Sequence, residues 1–160
     1  MKMLSKFPAA GGVLLALGLA TGAVQAKDTK TMSSAICQAM SPDGAANLMH
    51  RGSSLQAKNK DVTVICPIIM DKHGPLVTVT VRHLRPDGAS QQRVEGQVFA
   101  CTMGDSDCKE TRITRSHNTN KFTSVSIDTR GLPSDSDHYY YYRSVLPKNW
   151  KITGIRLRQD

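Results

Sequence analysis

Glutamate is almost missing from this chain: Glu95 and Glu110 are the only two. A hydrolase working through paired carboxylates would therefore have to draw on aspartates, and these sit in turn-like stretches. No Gly-x-Ser-x-Gly elbow, no His-Glu-x-x-His and no phosphate-cradling glycine loop occurs, which removes the local signatures of serine hydrolases, zinc proteases and nucleotide binders. Cys-x2-Cys and His-x3-His are absent too, so no zinc-site spacing is present. No long amphipathic helical pattern, internal repeat, heptad or low-complexity linker breaks the chain. What is left is an all-β pattern and an export signature.

Lys2 and Lys6 make a basic start, Val13–Ala20 is a short apolar stretch, and Val24-Gln25-Ala26 offers small residues where signal peptidase reads. Residues 1–26 are expected to be a cleaved signal of bacterial type. The apolar stretch is well short of the ~20 residues that span a bilayer. The first cysteine is Cys37, so no lipid-anchor cysteine follows the signal directly. Lys2 and Lys6 leave with the signal and no acid does, which takes the formal net charge from +8 to +6. The expected location is the periplasm or the medium. A basic balance is compatible with polyanionic partners and equally with an ordinary soluble surface.

Four cysteines follow the signal, Cys37, Cys66, Cys101 and Cys108. An even count in an oxidising compartment argues for two disulfides. Of three possible pairings, Cys37–Cys66 with Cys101–Cys108 closes two local loops and is the one expected. The densest apolar run, Asp61–Met70, is β-branched and ends in Cys66-Pro67, and Pro67 places that strand at an edge, a bulge or an end. Its Val62, Val64 and Cys66 share one face. Leu76–Leu84 alternates cleanly, with Val77, Val79 and Val81 on one side and Thr78, Thr80 and Arg82 on the other. Further strands are expected at Ser53–Ala57, Arg93–Met103 (with a bulge at Gly96), Lys109–Arg115, Lys121–Asp128, Tyr139–Val145 and Trp150–Leu157. Phe122, Val125 and Ile127 do not keep one phase, which suggests a second bulge. Lys27–Ala35 reads as a flexible arm, and Ala45–His50 as one or two helical turns capped by Asp43. The prediction is one antiparallel β-sandwich or jelly-roll-like domain over 36–160, of about 7–8 strands.

These residues resemble a group of small exported bacterial proteins of uncharacterised function. The shared pattern is Cys37-Gln38, Gly52, Cys66-Pro67, Cys101-Thr102-Met103, and Tyr139–Tyr142 running into Leu146-Pro147. The resemblance implies a β-sandwich and supplies no activity. Such proteins often carry a cysteine just before the final Leu-Pro, where this chain has Ser144. If Cys101 pairs with that position in them, Cys108 is the substitute here, across a hairpin tipped by Gly104-Asp105.

Candidate chemistry divides three ways. For metal, His50, His73, His83, His117 and His138 lack ligand spacing, and the triplets Asp105–Asp107 and Asp135–Asp137 read as solvated turns; no metal or cofactor is expected. For catalysis, Ser53 near His50 is the one nucleophile–base juxtaposition, and it reads as a loop serine. A small secreted hydrolase with a loop-built site is the rival class. For binding, Tyr139, Tyr140, Tyr141 and Tyr142 hold half of the aromatic residues. On a strand, Tyr139 and Tyr141 face one way and Tyr140 and Tyr142 the other, so one pair beside Arg143 is placed to meet a glycan or a protein. Lys148, Lys151, Arg156 and Arg158 suggest a charged edge strand, with polyanion binding as a further alternative. No nucleic-acid motif is present. The leading expectation is a non-catalytic binding module of the cell envelope or medium.

Overall fold

The computed structural model describes residues 28–70, 74–89, 92–104, 106–116, 121–134 and 137–160. The expected signal, His73, His117 and half of the residues of the two Asp-Ser-Asp triplets lie outside these residues. In chain order the elements are β1 (Asp28–Met32), a 3-10 turn (Ser34–Ile36), β2 (Gln38–Ala39), α1 (Pro42–Ala46), β3 (Leu48–Arg51) and β4 (Ser54–Ala57). Then come β5 (Val62–Ile68), β6 (Leu76–Leu84), β7 (Glu95–Thr102), β8 (Cys108–Glu110) and β9 (Thr114–Arg115). The last are β10 (Phe122–Asp128), β11 (His138–Leu146) and β12 (Lys151–Gln159). The first sheet runs β10-β6-β12-β4-β3, with β1 also on β12; the second runs β2-β5-β11-β7-β8, with β9 also on β7. Every strand pairing is antiparallel. The architecture is an antiparallel, disulfide-stabilised β-sandwich.

Alternation builds the core. Val62, Val64, Cys66 and Ile68 of β5, Val79 and Val81 of β6, Val125 and Ile127 of β10, and Ile155 and Leu157 of β12 are all buried between the sheets. Leu146, at the end of β11, and Trp150, in the β11–β12 connection, complete it. Met40 N donates to Thr63 O, so Thr63, and with it Ile65 and Pro67, turns its backbone polar groups away from β11. Strand β2 covers β5 only at Ile65 and Val64, which leaves Pro67 on an open edge where no N–H is needed. Both expected disulfides form, Cys37–Cys66 and Cys101–Cys108.

Several local expectations are corrected. The flexible arm at Lys27–Ala35 gives way to β1, which pairs with β12 from Asp28 to Met32, and to the 3-10 turn. Polar side chains hid it because one of its faces is solvated. The helix is capped by the Ser41 hydroxyl, which accepts from Gly44 N, and has Pro42 in its first turn. Asp43 therefore lies inside the helix, and Leu48–Arg51 is strand. No bulge interrupts β7 at Gly96 or β10 at Phe122: both keep continuous register with their neighbours. In β10 it is Thr123, Val125 and Ile127 that point inward, while Phe122 faces solvent. The register shifts instead in the β12–β6 pairing, where Thr153 is the extra residue between Ile152 and Gly154 and a second shift lies between Arg158 and Gln159. Lys109–Arg115 splits into β8 and β9. Among the described residues twelve strands stand where about seven or eight are expected, the additions being two- to five-residue pieces too short to show a period. Ser144 lies opposite Gly96 and Val64, whereas Cys101 lies opposite Tyr139, so a cysteine at 144 would be five residues along β11 from Cys101's partner.

Candidate ligand-binding faces

Strand β11 sits between β5 and β7, so its alternation decides where each tyrosine goes. Tyr140 and Tyr142 enter the core; the Tyr140 hydroxyl donates to Pro133 O. Tyr142 lies across Gly96, where an added Cβ would be 2.5 Å from Tyr142 Cε2. Glycine is required there to admit the ring, which is why the chain needs it without bulging. Burial pushes the Tyr142 phenol far above its ordinary pKa, with the nearby Ser144 hydroxyl opposing. Ser144 Oγ itself donates to Glu95 O at 2.6 Å.

Tyr139, Tyr141 and Arg143 stand on the outer face. Tyr141 and Phe99 are opposite each other on adjacent strands, with ring centroids 4.8 Å apart and planes 4° from parallel. That is the strand spacing itself, so the rings stack edgewise off the sheet. Tyr139 follows at 6.4 Å and 25°. Arg143 Cζ lies 4.6 Å from the Phe99 centroid, and Arg143 Nη2 donates to Gln97 Oε1 at 3.0 Å. The order of the stack is Tyr139, Tyr141, Phe99, Arg143. Its ring faces are turned to one another, and Tyr141 is partly buried, which raises its phenol pKa. The structure thus joins three of the five sequence candidates and buries the other two.

The outer face of the first sheet carries a second arrangement that the sequence concealed. Pairing registers place its residues in rows across four strands. Thr31, Arg156, Thr80 and Ser126 form one row; Thr29, Arg158, Thr78 and Asp128 form the next. On the other side Gly154, Arg82 and Ser124 line up, followed by Leu84 with Phe122. Between them runs a trough of about 580 Å³, lined by Thr31, Arg82, Phe122, Ser124, Gly154 and Arg156 among others. A further 300 Å³ continues past Arg156 to Thr78 and Arg158. The bulge at Thr153 bends β12 here, and Gly154 leaves the floor open: a Cβ at that position would meet nothing closer than Met32 O at 3.9 Å. Thr80 and Ser126 hydroxyls bond each other at 3.0 Å, and Thr153 Oγ1 donates to Arg82 O. Phe122, 59% exposed, forms one wall.

The charge on this face is one-sided. The described ion pairs are Lys60–Asp43, Arg115–Glu95, Lys121–Asp87 and Arg130–Asp128, and none involves Arg82, Arg156 or Arg158. Asp128 is the one described carboxylate in these rows. Arg130 holds it through hydrogen bonds that draw its pKa down to about 2, with Arg158 adding a weaker attraction. The expectation that β12 is a charged edge strand is corrected: it is central, with β6 on one side and β1 and β4 on the other. Its arginines point out of a sheet face, not off an edge.

Elsewhere, His50 is exposed on β3, and Ser53 offers its carbonyl to the Ser33 and Ser34 hydroxyls. Among the described residues no three His, Cys, Asp or Glu side chains converge as metal ligands. No described helix is long and apolar enough to cross a membrane.

No protein-family model and no curated protein matches the chain. Among solved structures the chain is similar to TmCBM61 in complex with β-1,4-galactotriose, at 7% identity and a TM-score of 0.39, over 85% of this chain and 90% of that one. It is also similar to a structure reported for the promiscuous specificity of carbohydrate-binding modules from the β-sandwich superfamily, at 12% identity and 0.39, over 85% of this chain and 56% of that one. At these values no residue of either face is carried over from them.

Proposed function

We propose that this protein is an exported, non-catalytic binding module whose ligand is an extended glycan lying along the trough of the first sheet. The trough is the observation that carries the reading. Its concave floor of threonine, serine and arginine matches the dense hydroxyls of a sugar, and exposed Phe122 matches a sugar's apolar C–H face. A glycosidase needs two carboxyl groups roughly 5–9.5 Å apart about the scissile bond, whereas the described trough rows offer Asp128 alone. Two disulfides and an outward-facing ligand site fit an oxidising, extracytoplasmic location.

The test is titration of the purified protein against a panel of neutral and acidic polysaccharides, with two variants. Phe122→Ala removes the wall, and Gly154→Phe fills the floor. Both are expected to abolish binding while leaving the folded signal intact, and Tyr139→Ala is expected to bind normally. Binding that survives both trough variants and is lost in Tyr139→Ala would move the site to the second sheet. That face is the second reading: Ile69, just past β5, and Tyr139 and Val145 on β11 are 54%, 49% and 47% exposed, a surface suited to a protein partner.

A further inference from the structure

The arginines in the trough say more about the ligand than its shape does. Arg82, Arg156 and Arg158 occupy three successive rows, with Arg82 on β6 and the other two on β12. Rows on one face recur every two residues, so the three cations are spread over roughly 14 Å along the strand direction. Around them stand hydroxyl groups, which donate as readily as they accept. A neutral sugar does not need three guanidinium groups, and three like charges on one face, with only Asp128 near one of them, repel each other until an anion separates them. Guanidinium binds sulfate and carboxylate in bidentate, charge-assisted fashion.

Resting on the glycan reading above, we infer that the trough selects an acidic polysaccharide, one bearing sulfate or carboxylate groups along its length. Arg82 and Arg156 are the primary anion contacts, since both line the larger part of the trough. Arg158 lies beside Asp128 and contributes less. Phe122 and the hydroxyl rows then hold the sugar rings between charged groups. This recognition is set by charge spacing on a rigid sheet, so it distinguishes an acidic glycan from a neutral one of the same backbone.

The experiment uses the full mature protein and three probes: a sulfated galactan, the desulfated galactan of the same chain length, and single-stranded DNA as a polyanion without sugar-ring stacking on a pyranose backbone. Binding is measured by calorimetry at low and moderate salt for wild type, Arg82→Gln, Arg156→Gln and Phe122→Ala. Polygalacturonate repeats the comparison with carboxylate in place of sulfate. The expected result is binding to at least one acidic glycan, at least about tenfold weaker binding to its neutral counterpart, and about tenfold loss in each arginine variant. Affinity should fall with salt, because anion neutralisation releases counterions. Equal binding of sulfated and desulfated galactan, lost in Phe122→Ala and kept in both arginine variants, overturns the acidic selectivity and leaves the glycan reading standing. No binding of any glycan overturns both. DNA bound as tightly as the acidic glycan, with loss in the arginine variants and none in Phe122→Ala, overturns the inference in favour of a general polyanion surface.

Discussion

His83 makes the fold sensitive to acid in a defined window. It lies on the core face of β6, fully buried, between Thr123 of β10 and Ile152 of β12. Neither ring nitrogen makes a hydrogen bond of good geometry, and no charged group faces it from those two positions. Burial lowers its pKa from 6.5 to about 4, opposed only in part by the backbone of Val81. In the unfolded chain the ring takes up a proton near 6.5. Between 6.5 and about 4 the unfolded state therefore binds more protons than the native one, and stability falls as pH falls. The contribution is complete above pH 6.5, declines by about 1.4 kcal/mol per pH unit through the window, and totals about 3 kcal/mol by pH 4. Against a typical domain stability of about 5–15 kcal/mol that is a large share.

Urea unfolding followed by the fluorescence of Trp150, the single, fully buried tryptophan, measures this directly. Midpoints at pH 7.5, 6, 5 and 4 give the profile for wild type and for His83→Leu. All other titrating groups are common to both proteins, so the difference between the two profiles isolates the ring. Asp128 does not blur the window: its pKa lies near 2 in the fold, so its contribution is present above 3.8 and is lost only below that. The expected result is a decline of about 3 kcal/mol in wild type from pH 7.5 to 4, and a profile flatter by that amount in His83→Leu. Parallel profiles in the two proteins would refute the reasoning.

Further outcomes follow from packing and from loop closure. Gly96→Ala drives a methyl group into the Tyr142 ring and is expected to destabilise by about 2–3 kcal/mol in thermal melts; adding Tyr142→Leu should recover part of that loss. Replacing both members of Cys37–Cys66 by serine, a separation of 29 residues, should reduce stability by about 3–4 kcal/mol. The same change at Cys101–Cys108, a separation of 7, should lose about 2–3 kcal/mol, and equal losses for the two bridges would contradict the loop-length account. Tyr141→Ala breaks the stack on both sides and should lower stability by about 1–2 kcal/mol, whereas half-exposed Tyr139→Ala should change it by less than about 1 kcal/mol.

What could be read in the sequence was what repeats with period two. The cores of β5 and β6, the division of the tyrosines into inner and outer pairs, and the pairing of the cysteines all follow from alternation and loop closure. What could not be read came from contacts between distant segments. Phe122 reads as a break in phase because an exposed phenylalanine and a buried Thr123 invert the usual preference. Segment 28–32 reads as an arm because nothing in Thr29, Lys30 and Thr31 announces that β12 pairs with them. Gly96 reads as a bulge because its reason for being glycine, the Tyr142 ring, lies on another strand. The trough is the extreme case. Alternation marked Thr78, Thr80 and Arg82 as a solvent face, and noted that Arg156 and Arg158 share one. It carried no information on whether those faces join, or whether the joined surface is flat or hollow.

A bulge at Thr153 adjoins the hollow. Ile152 and Gly154 oppose His83 and Arg82, which are adjacent on β6, so Thr153 has no partner position of its own. An unpaired residue of this kind bends its strand and steepens the local twist. It does so where β12 passes from β4 to β1, beside the glycine that opens the trough floor. Deleting Thr153 brings Ile152 and Gly154 into consecutive register, keeps Ile152 inward and Gly154 outward, and removes only one side-chain hydrogen bond, from Thr153 Oγ1 to Arg82 O. The variant is therefore expected to fold with stability within about 1 kcal/mol of wild type. With β12 straightened, Phe122, Arg82 and Arg156 lie on a flatter sheet and ligand affinity should drop about tenfold or more. Unchanged affinity in a folded deletion variant would mean that the sheet's own twist, and not the bulge, shapes the site.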